Sequence, residues 1–187
     1  MSSQRAVRLE ELEGQFRELA ERASALAGGL DRVVLSQRPK PASWSVAECL
    51  AHLNLSADPN FPLWERGLAE ARLLDRNKEH PFRVDFWGRV LCWALEPPPK
   101  FRFPAPKPFH PVAAGPVDAI LPDFLDRQRR VLEVLQAVRG TAVDRVKIAS
   151  PFNARVHYSI WSSFCVTAAH ERRHIWQAEQ AALAILA

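Results

Sequence analysis

At 187 residues, 48% of them hydrophobic, the chain is long enough for one well-buried core and gives no cause to divide it into two domains. Its 25 basic and 21 acidic residues are mixed along the length for a net charge of +4, with no basic run interleaved with aromatics, which argues against a nucleic-acid-binding stripe. The longest strong apolar run, residues 90–95, is far too short to span a membrane, and residues 1–8 lack the apolar core of a secretory leader.

Helices are expected almost throughout. Val7, Leu12, Phe16, Leu19, Ala23 and Leu26 recur at helical spacing over residues 4–28, and Gly28-Gly29 stops them. A loop over 38–44 leads to an explicit start signal: Ser45-Val-Ala-Glu48 matches a capping box, with Trp44 and Cys49 in the two positions of a hydrophobic staple. The second helix therefore runs from about 45 to 58. A break at Asp58-Pro59 or Asn60-Phe61-Pro62 follows, and the pattern resumes through Trp64, Leu68, Ala71 and Leu74. A third helical segment covers 82–95.

Residues 97–116 hold eight of the fifteen prolines and are expected to form an extended strap packed across the other helices, since Phe101, Phe103 and Phe109 are poorly placed in water. The next helix spans 117–139, with Ile120, Phe124, Val131, Leu135 and Val138 on its apolar side and Gly140 at its end. Residues 141–158 read as loop with a short extended piece at 143–149, and the last helix runs from about 159 to 185. The fold class expected is an all-α, four-helix bundle with a long connection before the fourth helix, in one domain over 1–187.

The chemistry concentrates on that last helix. In Ala169-His-Glu-Arg-Arg-His-Ile175, His170 and His174 stand at i and i+4, on one face and roughly 5–6 Å apart at Cβ, so two ring nitrogens can reach one ion. On a helical wheel they share their face with Ser163, Val166, Thr167, Gln177 and Ala181, while Arg172, Arg173 and Trp176 point away. A HxxxH pair alone is a weak signal. His52 strengthens it, because Leu50 and Leu53 place that stretch of the second helix toward the core, where an unpartnered ring nitrogen would cost about 1–3 kcal/mol. Glu171, Glu48, Asn54, Ser163, Thr167 and Gln177 are candidates to contact the rings or a substrate; Glu48 reads first as a capping residue and Glu171 first as a surface charge.

His170-Glu-Arg-Arg-His174 also fits the H-E-x-x-H of zinc proteases. Only thirteen residues follow His174, too few for the downstream element that carries a third ligand, and no edge strand is evident to hold a peptide. His157 suits a capping or hydrogen-bonding role, and His80 and His110 sit beside prolines without a pattern. Cys49, Cys92 and Cys165 are widely separated, odd in number and in no CxxC arrangement. They read as reduced thiols of a cytoplasmic protein, Cys49 and Cys165 as small buried hydrophobes.

Trp44-Ser-Val-Ala-Glu-Cys-Leu-Ala-His-Leu53, together with Ala169-His-Glu-Arg-Arg-His-Ile-Trp-Gln177, resembles the DinB-like (DinB/YfiT) superfamily, and Ser150-Pro-Phe152 ahead of the last helix and the proline-rich segment are similar to many members. The resemblance covers about residues 8–183. It implies a four-helix bundle with a long crossover, often a homodimer, in which His52, His170 and His174 bind one divalent metal ion, with zinc or nickel foremost and iron or manganese as alternatives. It further implies either a metal-dependent hydrolase or a transferase using a low-molecular-weight thiol such as bacillithiol, mycothiol or glutathione. Three ligands leave coordination positions open, the pattern of reactive sites, where an ion lowers the pKa of water to about 7 or of a thiol below roughly 8.5. The other class to weigh is a non-catalytic metal-binding, stress-associated bundle. Basic groups at the mouth, with Arg155, Lys147, Lys100, Arg102 and Lys107 as candidates, would favour an anionic small-molecule substrate.

Overall fold

The computed structural model describes residues 4–74, 82–101, 104–111 and 117–187. The chain is predominantly helical: α1 (Gln4–Gly28), α2 (Arg32–Ser36), α3 (Val46–Ala57), α4 (Asn60–Leu73), α5 (Phe86–Leu95), a 3-10 turn (Lys107–Phe109), α6 (Val117–Ala137) and α7 (Ile160–Leu186). Between α6 and α7 lie two antiparallel strands, β1 (Lys147–Ser150) and β2 (Asn153–Ser159). Among these helices none is long and apolar enough to cross a membrane.

Local chemistry sets the starts. Ser45 Oγ accepts from the Glu48 amide and the Glu48 carboxylate accepts from the Ser45 amide, so both halves of the expected capping box form at α3. Glu48 is also paired with Arg38, which ties the preceding loop to the same helix end. Asp58 and Pro59 separate α3 from α4, leaving Pro62 in the first turn of α4, where its missing amide costs nothing. Asp85 caps α5 through the Gly88 amide, and Ser159 caps α7 through the Ser162 amide.

Two expectations need correction. The short helix α2 was not anticipated; five residues are too few to show a period, and the Asp31 cap on Val34 is the signal that could have found it. The extended piece is a hairpin lying later than 143–149, with Ile148 opposite Tyr158 and both buried. The fold is thus not purely helical.

Side-chain pairings give the directions of the long helices. Trp44, just before α3, stacks on His174, and His52 within α3 meets His170, so α3 and α7 run antiparallel. Arg22 with Glu179, and Gln15 with Arg172, make α1 and α7 parallel. Asn54 with the Ile120 carbonyl, and Asp58 with Arg127, make α3 and α6 parallel. Helix α1 packs on α6 and α7, α3 packs on the same two, and α5 lies outside against α7 and β2. The core they enclose holds Phe16, Trp64, Phe124, Phe164, Tyr158 and Ile160, each fully buried, and each such side chain contributes roughly 1.5–3 kcal/mol by leaving water. A smaller cluster of Val46, Cys49, Ala178, Ala181 and Ala182, with Trp44 and Leu35 against it, seals the end where α3 begins and α7 finishes.

The proline-rich stretch meets its expectation in places. Phe109 is buried against Phe152, whereas Phe101 is 47% exposed beside Trp93, and Phe103 lies outside the described residues. Among the tryptophans, Trp64 and Trp161 are core, but Trp87 and Trp93 stand exposed on the outer face of α5.

Candidate metal centre

Helix geometry does what the spacing of the last helix suggests. His170 and His174 project from successive turns of α7, and the antiparallel α3 brings His52 between them, so that one ligand atom from each of the three lies within 4.8 Å of the others. His52 and His174 are buried, and His170 is partly open to a cavity. Ring centroids of His52 stand 5.1 Å from His170 and 4.4 Å from His174.

The tautomers follow from the partners. His52 Nδ1 donates to the main-chain carbonyl of Phe109 at 2.6 Å, since a carbonyl can only accept. His52 Nε2 is then left with its lone pair, 3.2 Å from His170 Nε2. His174 Nδ1 donates to Gln177 Oε1 at 3.1 Å, which leaves its Nε2 as a lone pair as well. Such hydrogen bonds orient ligating imidazoles and raise their basicity toward a metal.

Electrostatics keep the rings uncharged. Burial pushes His170 down to about 3, helped by His52 and by the charge of Arg173. Burial likewise holds His174 well below the ordinary value, followed by His170, His52 and Arg173, with the Gln177 bond opposing. His52 is lowered by burial against the raising effect of the Phe109 carbonyl, with His110 adding to the lowering. Three neutral imidazoles whose ring nitrogens converge are the donor chemistry a divalent cation requires, and a proton is a poor competitor for them. The residues fit the ion.

The remaining candidates divide. Gln177 joins the site through His174, and Thr167 lines the same cavity. Glu171 is 3% exposed and accepts from Gln128 of α6, so it is a buried group and not a surface charge. Burial pushes its carboxyl up to about 8, against the Gln128 bond and the Arg172 charge. Asn54 turns away toward the Ile120 carbonyl, and Ser163 is engaged by Trp64. Glu48 serves the capping box. His110 donates to the Ala105 carbonyl, and His157 is exposed on β2. His80 lies outside the described residues. Burial raises all three cysteine thiols, Cys92 to about 11 and Cys165 to about 12, which keeps them protonated.

The cavity beside the cluster measures about 1110 Å³. Arg173 and Trp176 line it, contrary to the wheel, because a wheel places Cα atoms and both side chains are long enough to reach round α7. Among the described residues its cations are Lys40 and Arg173; Lys147 is instead paired with Asp85, and Arg102 lies outside the described residues. Sequence reasoning also missed Trp44 as a roof over the site, with its ring 4.9 Å from His52 and 5.7 Å from His174, and the Phe109 carbonyl as an orienting group.

No curated protein and no solved structure compared with this chain gives a match. The family comparison does: the profile described as the DinB superfamily matches residues 15–178, from the first helix through the histidine pair. With that match over most of its length and a buried three-histidine cluster at its centre, the chain belongs to the DinB superfamily.

Proposed function

We propose that His52, His170 and His174 hold one divalent metal ion per chain, zinc or nickel ahead of iron or manganese, and that the protein is a metal-dependent hydrolase or a transferase acting with a low-molecular-weight thiol. The observation that carries this reading is the convergence of three ring nitrogens within 4.8 Å of one another at the wall of a large cavity. Among the described residues the cluster has three histidines and no fourth acidic or cysteine ligand to close it, which favours a reactive centre over a purely structural one. A bound ion supplies Lewis acidity, lowering the pKa of a water or thiol beside it. The protein's own part is to orient the rings through Phe109 and Gln177, keep them unprotonated by burial, and shelter the site beneath Trp44.

In this reading α1, α3, α6 and α7 form the four-helix bundle of the superfamily, in one domain, with the proline-rich stretch within the long crossover to α6. Assembly as a homodimer and a cytoplasmic location accompany it. The test is elemental analysis of purified wild type beside His52→Ala and His170→Ala. About one ion per chain in wild type and loss of most of it in both variants is expected; unchanged metal content in both ends the assignment. Retained metal in wild type without turnover on hydrolysable esters or amides, or on bacillithiol, mycothiol and glutathione with electrophilic acceptors, would favour the non-catalytic alternative.

A further inference from the structure

Helix α5 carries apolar side chains on two sides, and the inner side is used: Gly88 packs against Ser162 of α7, and Leu91 and Leu95 line the cavity. Its outer side is open among the described residues. Phe86, Val90 and Trp93 stand at i, i+4 and i+7 on one stripe, with Trp87 at its edge. Phe86, Trp87 and Trp93 are 62%, 49% and 55% exposed. The Phe86 and Trp87 rings touch edge to face at 5.3 Å, and Phe101 extends the patch beside Trp93 at 5.7 Å. Single exposed apolar residues are ordinary, but three large aromatic rings on one ten-residue helix form a patch of the kind that marks a binding surface.

Charge decides what covers it. Over residues 82–101 the cations are Arg83, Arg89 and Lys100, and the acids are Asp85 and Glu96. Both acids are neutralised from outside that stretch, Asp85 by Lys147 and Glu96 by Arg172. Arg83 and Arg89 are exposed and enter no ion pair among the described residues, and Lys100 lies over the Trp93 ring at 5.2 Å. A second copy meeting this face across a two-fold axis would oppose cations to cations, with both acids already taken. A fluid anionic surface meets both properties, because aromatic rings partition into the interfacial zone of a bilayer and cations at their edge face its headgroups. We infer that α5 docks the protein on an anionic lipid bilayer, with Phe86, Trp87, Val90 and Trp93 entering the interface and Arg83, Arg89 and Lys100 facing the headgroups. The helix lies flat along the surface for about 15 Å at 1.5 Å per residue, so no spanning segment is required. The docking is independent of the metal centre, since none of these seven side chains belongs to the histidine cluster or lines the cavity.

The test is co-sedimentation of the whole chain with vesicles of phosphatidylcholine alone and of phosphatidylcholine mixed with phosphatidylglycerol. Wild type is expected to bind the mixed vesicles at least about tenfold more tightly and to be released as salt is raised. Brominated phosphatidylcholine in the mixed vesicles is expected to quench tryptophan emission. Trp87→Ala combined with Trp93→Ala is expected to weaken binding by about tenfold or more and to remove most of the quenching. Arg83→Glu combined with Arg89→Glu is expected to abolish the preference for phosphatidylglycerol. Ion content is expected to match wild type in both double variants, which keeps this result separate from the metal assignment. Absence of wild-type binding or quenching with the mixed vesicles overturns the inference whether or not the variants fold, and so does binding that the tryptophan substitutions leave unchanged. A wild-type dimer in analytical ultracentrifugation that those substitutions dissociate also overturns it, because a second copy then covers the face.

Discussion

The indole of Trp44 lies over the imidazole of His174, with ring centroids 5.7 Å apart and planes inclined by 29°. The same indole stands 4.9 Å from His52, so one aromatic side chain contacts two of the three candidate ligands from outside the ligand set. A cation arriving beneath it changes the charge next to an electron-rich ring. Tryptophan emission should therefore shift on titration with a divalent ion. Trp44→Phe should lose the larger part of that shift while ion content, measured by elemental analysis, stays the same. A full response in the variant would show that Trp44 is not the reporter.

Two neighbouring groups, His170 and the buried Glu171, should give the metal-free chain opposite pH slopes. His170 is held near 3 in the folded chain and titrates near 6.5 when unfolded, so the unfolded state takes up the extra proton between those values. Its contribution to stability is present above pH 6.5 and is lost as pH falls toward 3. Glu171 runs the other way: its folded value of about 8 exceeds the unfolded 4.5, so the folded state keeps a proton that the unfolded state releases, and stability falls as pH rises from 4.5 to 8. In thermal melts of metal-stripped protein, His170→Gln should flatten the acid limb and Glu171→Gln the limb between 4.5 and 8. Parallel curves for wild type and Glu171→Gln would contradict the second expectation.

Asp85 joins three elements. Its carboxylate accepts from the Gly88 amide of α5, the Ser159 amide at the end of β2 and Lys147 of β1, the last two at 2.6 Å. Burial would raise its pKa, but Lys147 and the two amides outweigh burial and hold the carboxyl below the ordinary value. Its stabilisation is complete above the unfolded value, near 3.9, and is lost as pH falls through the lower folded one. Asp85→Ala should cost about 1–2 kcal/mol in denaturant unfolding at neutral pH. Asp85→Asn should lack the acid-side dependence below pH 4 expected of wild type.

Gly88 sets how close α5 comes to α7. A Cβ there would stand 2.6 Å from Ser162 Cβ and 2.8 Å from its Oγ, on a side chain already bonded to Ser159 and to the Asp85 amide. Gly67 is crowded as well: a Cβ there would stand 2.4 Å from Ile160 Cδ1 and 3.1 Å from its Cγ1, on a fully buried β-branched side chain. Overpacking costs about 1–3 kcal/mol, while alanine in a helix regains up to about 1 kcal/mol. Gly88→Ala and Gly67→Ala should therefore both be destabilising, as read by chemical denaturation; wild-type stability in either variant would contradict the close approach.

What could be seen in the sequence was whatever local chemistry decides. Ser45 and Glu48 announce the start of α3 because both halves of the capping box lie within four residues, and the break at Asp58-Pro59 is covalent in origin. His170 and His174 announce a shared face because 3.6 residues per turn leaves no choice, and His52 could be added from the leucines around it. Contacts between distant parts of the chain were not visible: Trp44 over His174 spans 130 positions, and the bond from His52 to Phe109 spans 57. Arg173 and Trp176 were misplaced because side-chain length is not part of a helical wheel. The hairpin was half seen, since β1 is short and β2 buries only its last two residues, leaving little alternation to detect.

The oxygen that Phe109 offers to His52 belongs to the main chain. No exchange of side chain at position 109 can delete it; only a change in the path of the loop can. The orientation of a candidate ligand is thus stored as backbone shape, in a stretch where Pro104, Pro106, Pro108 and Pro111 each fix one torsion angle. Such a loop can exchange its exposed side chains freely and still aim the imidazole, whereas replacing its prolines with glycine would loosen the aim without altering any of the three histidines.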